Sequence, residues 1–504
     1  MVWAEKVLSK REVLFFFAGT SLFYIFPFIH ADYAYVDDAW RSLLLGDDGW
    51  RTHGRVLLEW VVKFFAFNNA TINVFPLPLL IATFLISLAM SRLTFWYFPT
   101  PNLASCLVVM PMLCNPFFLG NITYQYDGPG MMLTVVAAIY AVTLEKGSIL
   151  FRGFSTALLI VFILGVYQLS ITIFIGLCCV EFLWGLRNKR PVQEVMSDAL
   201  QRGLQLAVGG FLYYVTIFQM AVNQRMNFSS FNQFWFERII EKLAFSLRRI
   251  LELVNAGNLY FVFPLIVFAC VGFALIMRDL RVSNGEPWGK IAAFIVCLCA
   301  VCVMVAGVPG AMLFAAEPNL EARNYLGFSV VLLFIFLLNY EVSVRFWPAL
   351  RMFLVVPVLC MFSLCYAYGQ IIVAKKELET ALATFISYDV VSAPELRSVS
   401  VFYFLGAGNG GVWLPRGHGA MIYMPVLKYI LSDSSTLLRP HFLTRLGVNN
   451  VLDGPREMFK IVAVGDKTFR PVLDRKFYSI YASEAGGFIA MKNMDDADVY
   501  IERP

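Results

Sequence analysis

The chain of 504 residues is 59% hydrophobic and only 15% charged, and its mean hydropathy is +0.68. Soluble proteins carry about 25% charged residues, so this composition excludes an ordinary soluble protein and indicates an integral membrane protein. The net charge of +5 gives no indication of a nucleic-acid partner. The apolar runs are continuous rather than alternating, which favours membrane-spanning helices over a barrel.

Eleven apolar segments are predicted to span the membrane, because a helical span needs roughly 20 apolar residues. The first is expected to be a retained helix rather than a cleaved signal peptide, since no small-x-small cleavage site follows it. The predicted spans are 13–30, 74–97, 102–119, 131–145, 153–167, 169–186, 204–223, 259–277, 290–308, 325–340 and 350–373. The fifth and sixth are separated only by "YQLS", so they form either one broken helix or a tight hairpin.

Basic residues lie before the first span and in alternate connectors, which all fall on one side of the membrane. Lysines and arginines precede the first span and occur in the connectors "EKGSILFR", "RNKRP", "RDLRVSNGEPWGK" and "EVSVRFWPALR". The positive-inside rule puts them in the cytoplasm, so the N-terminus is expected inside and the C-terminus outside. The outward regions are then 31–73, 120–130, 224–258, 309–324 and the tail after 373. Loop 224–258 also holds arginines, but orientation is set mainly by short flanks.

The first outward loop begins with "YVDDAWR", which contains Tyr35, Asp37, Asp38 and Arg41. Unpaired acids are costly at a bilayer, and neighbours on a helix point about 100° apart, so the two aspartates are expected to have different roles. One is a candidate general base, and the other orients groups or pairs with Arg41, which lies four residues after Asp37. The alternative is a solvated, capped turn leaving the membrane.

The same loop continues with "GWRTHGR". Arg51, His53 and Arg55 offer donors to a phosphate group, and the alternative is that they meet lipid head groups. The following "VLLEWVVKFFAF" is amphipathic and is expected to lie along the membrane interface.

The second outward loop, "NPFFLGNITYQYDGPG", has helix-breaking Pro and Gly at both ends. It contains Asn115, Tyr124, Gln125 and Asp127. It resembles non-helical backbone buried at membrane depth, which is tolerated beside a cavity. The alternative is a plain turn in which Asp127 caps the next helix.

Two further outward helix junctions carry polar groups. Tyr167 and Gln168 stand in "YQLS", where an ordinary helix end is the alternative. Glu317 and Arg323 precede a later span, and Arg323 is placed to hold a lipid phosphate or to pair with Glu321 or Glu317.

The tail differs in composition, because it has no apolar run of membrane length. "KKELETALATFI" predicts a helix, and "SVSVFYFLG", "FKIVAVG" and "FYSIYAS" predict strands. We therefore expect a membrane domain over 1–373 and a small α/β domain on the outer face over 374–504.

An outward-facing membrane cavity has no access to ATP or nucleotide sugars, so a transferase there needs a donor delivered through lipid. A polyprenyl-phosphate sugar is such a donor. Its use requires a carboxylate to deprotonate an acceptor hydroxyl, cations to stabilise the departing phosphate, and an apolar groove for the lipid tail. The outward residues supply the first two kinds of group.

The stretches "YVDDAWR", "GW", "HGR", "NPFFLGNITYQYDGPGMM" and "YQLS" resemble the O-antigen glucosyltransferases of phages and bacteria that convert serotype, the Gtr type II family. The resemblance covers about 30–340. It implies a GT-C-like enzyme that takes glucose or a similar hexose from undecaprenyl phosphate and attaches it to O-antigen on the periplasmic face. Partner proteins would make and flip the lipid-linked sugar. By similarity, Asp37 or Asp38 is the base and Asp127 is a second catalytic residue.

The predicted site has three parts, of which the catalytic part consists of Asp37, Asp38 and Asp127. Phosphate binding is assigned to Arg51, His53, Arg55 and Arg323. Substrate binding is assigned to Tyr35, Arg41, Asn115, Tyr124, Gln125, Tyr167, Gln168 and Glu317.

Other functions and a metal stay open at this point. A flippase for a lipid-linked saccharide is less favoured, because the acids sit at outer helix ends and no repeated halves are evident. A glycan polymerase or ligase would share the cavity and differ in its donor. A divalent ion between Asp37 and Asp38 is an alternative to the arginines, although no obligatory metal or other cofactor is expected. The ten cysteines follow neither a disulfide nor a zinc pattern.

Overall fold

The computed structural model of the chain describes residues 6–46, 49–221, 227–282, 287–406, 414–431, 437–465, 470–484 and 486–492. The chain folds into two compact units. The first consists of Met1–Ile29 and Leu45–Tyr366, and the second of His30–Leu44 and Ala367–Pro504. No feature of the sequence links residues 30–44 to the tail. The predicted pair of domains, 1–373 and 374–504, stays a prediction.

Helices make up the first unit and extend into the second. In chain order they are α1 (Lys10–Ala31), α2 (Asp38–Arg41), α3 (Gly49–Thr52), α4 (Val56–Ala66), α5 (Leu77–Tyr97), α6 (Leu103–Val109), α7 (Pro111–Cys114), α8 (Leu119–Ile122), α9 (Asp127–Thr143), α10 (Ile149–Val166), α11 (Ile171–Arg187), α12 (Val192–Val215), α13 (Trp235–Leu251), α14 (Leu259–Val282), α15 (Pro287–Ala306), α16 (Phe328–Phe346) and α17 (Val355–Ser392). Short 3-10 helices lie between them at Pro116–Phe118, Gln168–Ser170, Ile217–Met220, Gly310–Leu313, Ala322–Asn324 and Pro348–Leu354.

The described residues contain ten helical segments that are long and apolar enough to cross a membrane. The apolar helix α9, with 17 residues, is a shorter eleventh segment. Each of the eleven predicted spans corresponds to one of these segments. The prediction of a polytopic helical membrane protein is therefore confirmed.

The third segment, Leu103–Ile122, is broken and almost wholly buried. Pro111 and Pro116 interrupt it, because proline lacks the N–H that a continuous helix requires. The Asn115 side chain accepts a hydrogen bond from the backbone N–H of Phe117 at 3.1 Å and so caps the 3-10 turn that follows. The turn at 123–126 is also buried. The expected buried, irregular backbone is present, since these residues bond to neighbouring protein instead of facing lipid.

The stretch "YQLS" separates two distinct helices. Tyr167 is extended, with φ of −153° and ψ of 99°, and ends α10, while Gln168–Ser170 forms the 3-10 turn that starts α11. Both helices pack against α9. Around them, α12 packs on α10, α15 on α11, and α14 on α16.

The predicted last span and the predicted first helix of the tail form one continuous helix. The span 350–373 and the helix of "KKELETALATFI" are parts of the single 38-residue helix α17. The linking residues contain Ala, Lys, Glu and Leu, which favour helix, and no proline. Helical propensity therefore carries the helix past the apolar segment.

The second unit contains a five-stranded sheet in the order β2-β1-β5-β4-β3. Its strands are β1 (Phe402–Leu405), β2 (Val451–Asp453), β3 (Leu473–Asp474), β4 (Tyr478–Ser483) and β5 (Gly486–Met491). Strand β1 runs parallel to β2 and β5, and β4 runs antiparallel to β5 and β3. Short helices complete the unit as α18 (His418–Tyr423), α19 (Val426–Ile430), α20 (Pro440–Thr444) and α21 (Arg456–Gly465), with 3-10 turns at Pro394–Leu396 and Pro415–Gly417.

The core of this unit lies between the sheet and the last turns of α17. Leu382 and Ile386 of α17 are buried together with Phe402, Ile480 and Ile489 of the sheet. The expected α/β character of the tail is confirmed, and the predicted strands in "SVSVFYFLG" and "FYSIYAS" correspond to β1 and β4.

The predicted strand "FKIVAVG" is wrong, because these residues belong to α21. The Phe459 ring of this helix packs on those of Tyr481 and Phe488, with centroids 5.2 and 5.5 Å apart. Covering the apolar face of a sheet favours a helix here over the strand propensity of Ile and Val.

A hydrogen bond to a buried ion pair of α17 joins residues 30–44 to this helix within the unit. Glu379 accepts hydrogen bonds from the Tyr33 hydroxyl at 2.8 Å, from Lys375 Nζ at 2.7 Å and from the backbone N–H of Leu438 at 3.0 Å. Burying this carboxylate is tolerated because several donors surround it.

Candidate functional site

Asp127 is the centre of a polar cluster in the first unit. It is the first residue of α9, and its side chain is 4% exposed. Its Oδ1 accepts a hydrogen bond from the Trp50 indole at 2.8 Å, and its Oδ2 pairs with Arg55 Nη1 at 2.9 Å. The positive end of the α9 dipole also favours a carboxylate here. Asp127 thus binds side chains from α3 and the following loop instead of acting as a plain helix cap.

Arg55 is the more accessible partner of this pair, since its side chain is 23% exposed. The guanidinium lies over the Tyr167 ring, with Cζ 4.7 Å from the ring centroid. Among the described residues, the Arg55 guanidinium donates one hydrogen bond, to Asp127, although a guanidinium has five N–H donors. The edge of the guanidinium that faces the Asp127 carboxylate is fixed, and its other N–H donors can bind an anion.

The contacts continue from Tyr167 to the fourth outward loop. The Tyr167 hydroxyl donates to Asn324 Oδ1 at 2.8 Å. The neighbouring Arg323 donates to the Tyr124 hydroxyl and pairs with Glu321 at 3.1 Å. Tyr124 begins the turn that leads into α9, where its carbonyl accepts from the N–H of Gly128 at 3.1 Å.

We call this set of residues the polar ring, in which contacts link some members and the chain itself links Asn324 to Arg323 and Tyr124 to Asp127. It brings two arginines together through one carboxylate, two tyrosines and one amide. Its members are Arg55, Tyr124, Asp127, Tyr167, Arg323 and Asn324.

Gln168 fixes the loop that carries Arg55. Its Nε2 donates to the carbonyl of Gly54 at 2.8 Å. Gly54 has a positive φ of 70°, and a Cβ at this position would lie 2.8 Å from Gln168 Nε2. A glycine is therefore required directly before Arg55 for this close approach.

Arg51 is held by a different acid. Glu59, which is 1% exposed, accepts from Arg51 Nε at 2.6 Å and also pairs with Lys63. Burial raises the pKa of the Glu59 carboxyl, but the hydrogen bonds from Arg51 and Lys63 outweigh it, so this pKa is lowered. His53 turns its Nδ1 toward the carbonyl of Gly49. These contacts order the loop around Arg55.

The remaining predicted residues of this unit, Asn115, Gln125 and Glu317, are not members of the polar ring. Asn115 donates to the Tyr325 carbonyl at 3.2 Å and to Ser329 Oγ at 3.1 Å. Gln125 Oε1 accepts from Asn73 at 2.6 Å. Both are buried and tie the broken segment to its neighbours. Glu317 is exposed, and Glu321 is the acid that pairs with Arg323.

In the second unit, Asp38 is buried within its own turn. Its side chain accepts from the backbone N–H of Tyr35 at 3.2 Å, and both residues are almost inaccessible. Val36 between them has a positive φ of 48°, which is strained for a β-branched residue and costs about 1–3 kcal/mol. Such outliers concentrate at functional sites.

Asp37 has the opposite exposure from Asp38. Its side chain is 40% exposed, while its partner Arg41 is 4% exposed. The expected pair is present, with Arg41 Nη2 3.8 Å from Asp37 Oδ2, and Trp40 Nε1 donates to Oδ1 at 3.3 Å. The predicted difference between the two aspartates is therefore present in their surroundings.

Sequence reasoning missed three residues that hold the site. Trp50 and Asn324 each bind a predicted residue, and Glu59 holds Arg51. The sequence did point to Trp50, because a single tryptophan stands in the otherwise polar stretch "GWRTHGR". Nothing in the sequence indicated Asn324 or Glu59, since their partners are known only from the fold.

The described ranges contain no group of three or more His, Cys, Asp or Glu side chains placed to hold a metal ion. The predicted roles of the site residues and the expectation of no obligatory metal or cofactor stay predictions.

The family model described as "Glucosyl transferase GtrII" matches residues 26–338, more than half of the chain. A protein of Salmonella phage P22, described as an uncharacterized 55.3 kDa protein in the gtrB 5' region, is 25% identical over 266 residues. The match covers 52% of this chain and 54% of the phage protein, so the chain spans about half the length of this curated relative. No solved structure matches the chain significantly. The family match includes every residue of the polar ring, and the chain belongs to the glucosyl transferase GtrII family.

Proposed function

We propose that this protein transfers a hexose, glucose in the first instance, from undecaprenyl phosphate to O-antigen or a related surface polysaccharide on the periplasmic face. The observation that carries the proposal is the Arg55–Asp127 pair. Its acid is buried and its guanidinium is partly exposed above Tyr167. A cation presented in this way suits the phosphate of a lipid-linked sugar.

The donor phosphate is the leaving group, and Arg55 is its proposed ligand. Negative charge develops on the phosphate oxygen as its bond to the anomeric carbon breaks, and a fixed guanidinium stabilises that charge. Asp127 is a positioning residue in this proposal, because both of its oxygens are occupied by Trp50 and Arg55. Arg323 adds a second positive charge to the polar ring.

Asp37 is the proposed base. Its carboxylate removes the proton of an acceptor hydroxyl, and the hydroxyl oxygen forms the new bond to the anomeric carbon. The electron pair of the broken bond leaves with the phosphate, so the step needs no oxidant or cofactor. The partial exposure of Asp37 favours it over Asp38, whose carboxylate is buried against the backbone of Tyr35.

The two ends of α16 support the proposed periplasmic orientation of the polar ring. Its N-terminus follows Asn324, and its last turn, which carries Arg345, lines a pocket together with the basic connector at 187–190. A helix of 19 residues is about 28 Å long, so the polar ring and these bases are at opposite ends. The positive-inside rule then assigns the bases to the cytoplasm and the ring to the periplasm of a bacterial inner membrane. Separate proteins would make and flip the lipid-linked donor.

The test is sugar transfer in proteoliposomes that contain the full chain. Undecaprenyl-phosphate glucose is the donor, lipopolysaccharide is the acceptor, and UDP-glucose replaces the donor in a parallel reaction. We expect transfer from the lipid-linked donor alone. Arg55→Gln should lower kcat/KM about 100-fold, which is typical for loss of one charge-stabilising donor.

Arg248→Gln is the matched control, because Arg248 is an exposed arginine in another outward loop. It should transfer like the wild type. Transfer from UDP-glucose, or equal activity of the Arg55→Gln and wild-type proteins, would contradict the proposal. Movement of the lipid-linked sugar across the bilayer without transfer would indicate a flippase. Transfer only of preassembled glycans would indicate a polymerase or ligase.

A further inference from the structure

A basic pocket lies at the end of the first unit opposite the polar ring. It has a volume of about 1390 Å³ and is formed by the C-terminal ends of α11, α14 and α16 and the N-terminal ends of α12 and α15. Six bases and two acids line it, which leaves a net charge of +4. The bases are Arg187, Lys189, Arg190, Arg278, Lys290 and Arg345.

The arginines of the pocket are paired with acids, whereas two lysines are not. Glu341 pairs with Arg187, and Asp279 pairs with Arg278 at 2.9 Å and with Arg345 at 3.6 Å. Arg190 pairs with Asp198 at 2.7 Å. Within the described ranges Lys189 and Lys290 form no ion pair. Their charges are available to a ligand.

An apolar groove begins where the basic pocket ends. It has a volume of about 270 Å³ and is lined by the next turns of α11, α12 and α15. Ala199 lines the groove, and the adjacent Leu200 lines the pocket. Arg202 is a charged residue of the groove, but Glu181 at 3.0 Å and Gln205 at 3.1 Å satisfy it.

We propose that the pocket and groove together bind an anionic phospholipid. The phosphodiester head group lies between Lys189 and Lys290, and an acyl chain follows the groove toward the middle of the helices. The positive charge at the ends of the spans matches the head group of a lipid. The apolar path along α11, α12 and α15 matches its acyl chain. Basic pockets between membrane helices recognise anionic head groups by this arrangement. The site is separate from the proposed transfer reaction.

The test measures phosphatidylglycerol binding to the purified full chain by native mass spectrometry. Lys189→Gln/Lys290→Gln should bind it roughly tenfold or more weakly, because each base near an anionic lipid is worth about a fivefold change in affinity. Lys10→Gln/Lys146→Gln is the matched control. It removes the same number of lysines from the predicted cytoplasmic side, both exposed and both outside the pocket. The control should bind like the wild type.

A second pair of variants tests the groove independently of charge. Gly203 lines it, and a Cβ there would meet no atom within 4 Å. Gly203→Phe should therefore fill the groove without a backbone clash and weaken binding. Gly210 is two turns further along α12 and is equally open, but it does not line the groove. Gly210→Phe should leave binding unchanged.

Three competitors decide the identity of the occupant. Phosphatidylcholine should compete poorly, since it carries no net charge. Equal binding of phosphatidylcholine would overturn the role of the lysines. Displacement by inorganic phosphate would overturn the role of the groove. Displacement by undecaprenyl phosphate at lower concentration than phosphatidylglycerol would reassign the site to a polyprenyl lipid. Unchanged binding in both Lys189→Gln/Lys290→Gln and Gly203→Phe would overturn the site itself.

Discussion

The Asp127–Arg55 and Asp37–Arg41 pairs use the same two residue types with opposite exposure. In the first pair the aspartate is buried and the arginine is partly exposed, at a separation of 2.9 Å. In the second the arginine is buried and the aspartate is partly exposed, at 3.8 Å. Each pair lies in its own unit and presents a different group. The first offers a cation and the second a carboxylate.

The cause of the difference is the packing around each pair. Asp127 stands at the start of α9 and receives a hydrogen bond from Trp50, so its charge is satisfied inside the protein. Arg41 is packed in its own short helix, with its guanidinium 5.1 Å from the Trp40 ring centroid. Burial of one partner fixes its geometry, and the exposed partner is the one available for chemistry. The following experiments test that interpretation.

The largest effect is expected from Asp37→Asn. An amide cannot accept the proton of an acceptor hydroxyl, so transfer should fall by about 10²–10⁴-fold, with the fold retained. Asp38→Asn keeps an oxygen that can accept from the N–H of Tyr35, and it should lose much less activity. The measurement is kcat for both variants in the proteoliposome assay. A large loss in Asp38→Asn with normal activity in Asp37→Asn would reverse the assignment.

A smaller but clear difference is expected between two substitutions of Arg55. Arg55→Lys keeps the charge but loses the planar fork that binds Asp127 and lies over Tyr167. Its kcat/KM should fall about tenfold, compared with the 100-fold loss in Arg55→Gln. Equal activity of Arg55→Lys and the wild type would show that charge alone suffices.

Asp127 should act through Arg55, which a double-mutant cycle measures. Asp127→Asn alone is expected to lower kcat/KM about tenfold, because the guanidinium loses its fixed orientation. In an Arg55→Gln background the same change should add little, which gives a coupling of about 0.5–3 kcal/mol. Independent, multiplicative losses would identify Asp127 as a residue that acts directly on substrate.

The smallest effect is expected from Glu59→Gln, which concerns stability rather than transfer. Because the pKa of Glu59 is lowered in the fold, its ionised form contributes stability above the unfolded pKa of about 4.3, and this contribution is lost as pH falls through the folded pKa. Removing the charge should cost about 2 kcal/mol near neutral pH.

Thermal unfolding of the purified protein and the Glu59→Gln variant at neutral and acidic pH measures this contribution. The gap between their melting temperatures should narrow on acidification. A gap that is constant with pH would mean that Glu59 does not stabilise the loop through its charge.

The structure brings several of the predicted site residues together, through contacts that the sequence did not predict, and their roles stay predictions. Arg55, Asp127, Tyr167 and Arg323 were all predicted, because polar groups next to apolar spans are visible in the sequence. Their arrangement in a ring was not, since Arg55 and Asp127 are 72 residues apart and Tyr167 and Asn324 are 157 apart. Which aspartate is exposed was likewise undecided before the fold was known.

The sequence by itself determined the membrane class and the eleven apolar segments, with the polar stretches that interrupt them. These follow from hydropathy and local charge, which act over about 20 residues. Only the tertiary structure decided the opposite exposure of the two Asp–Arg pairs, the grouping of residues 30–44 with the tail and the helical state of "FKIVAVG". Burial and pairing depend on neighbours that are distant in sequence, and packing against them overrides local propensity.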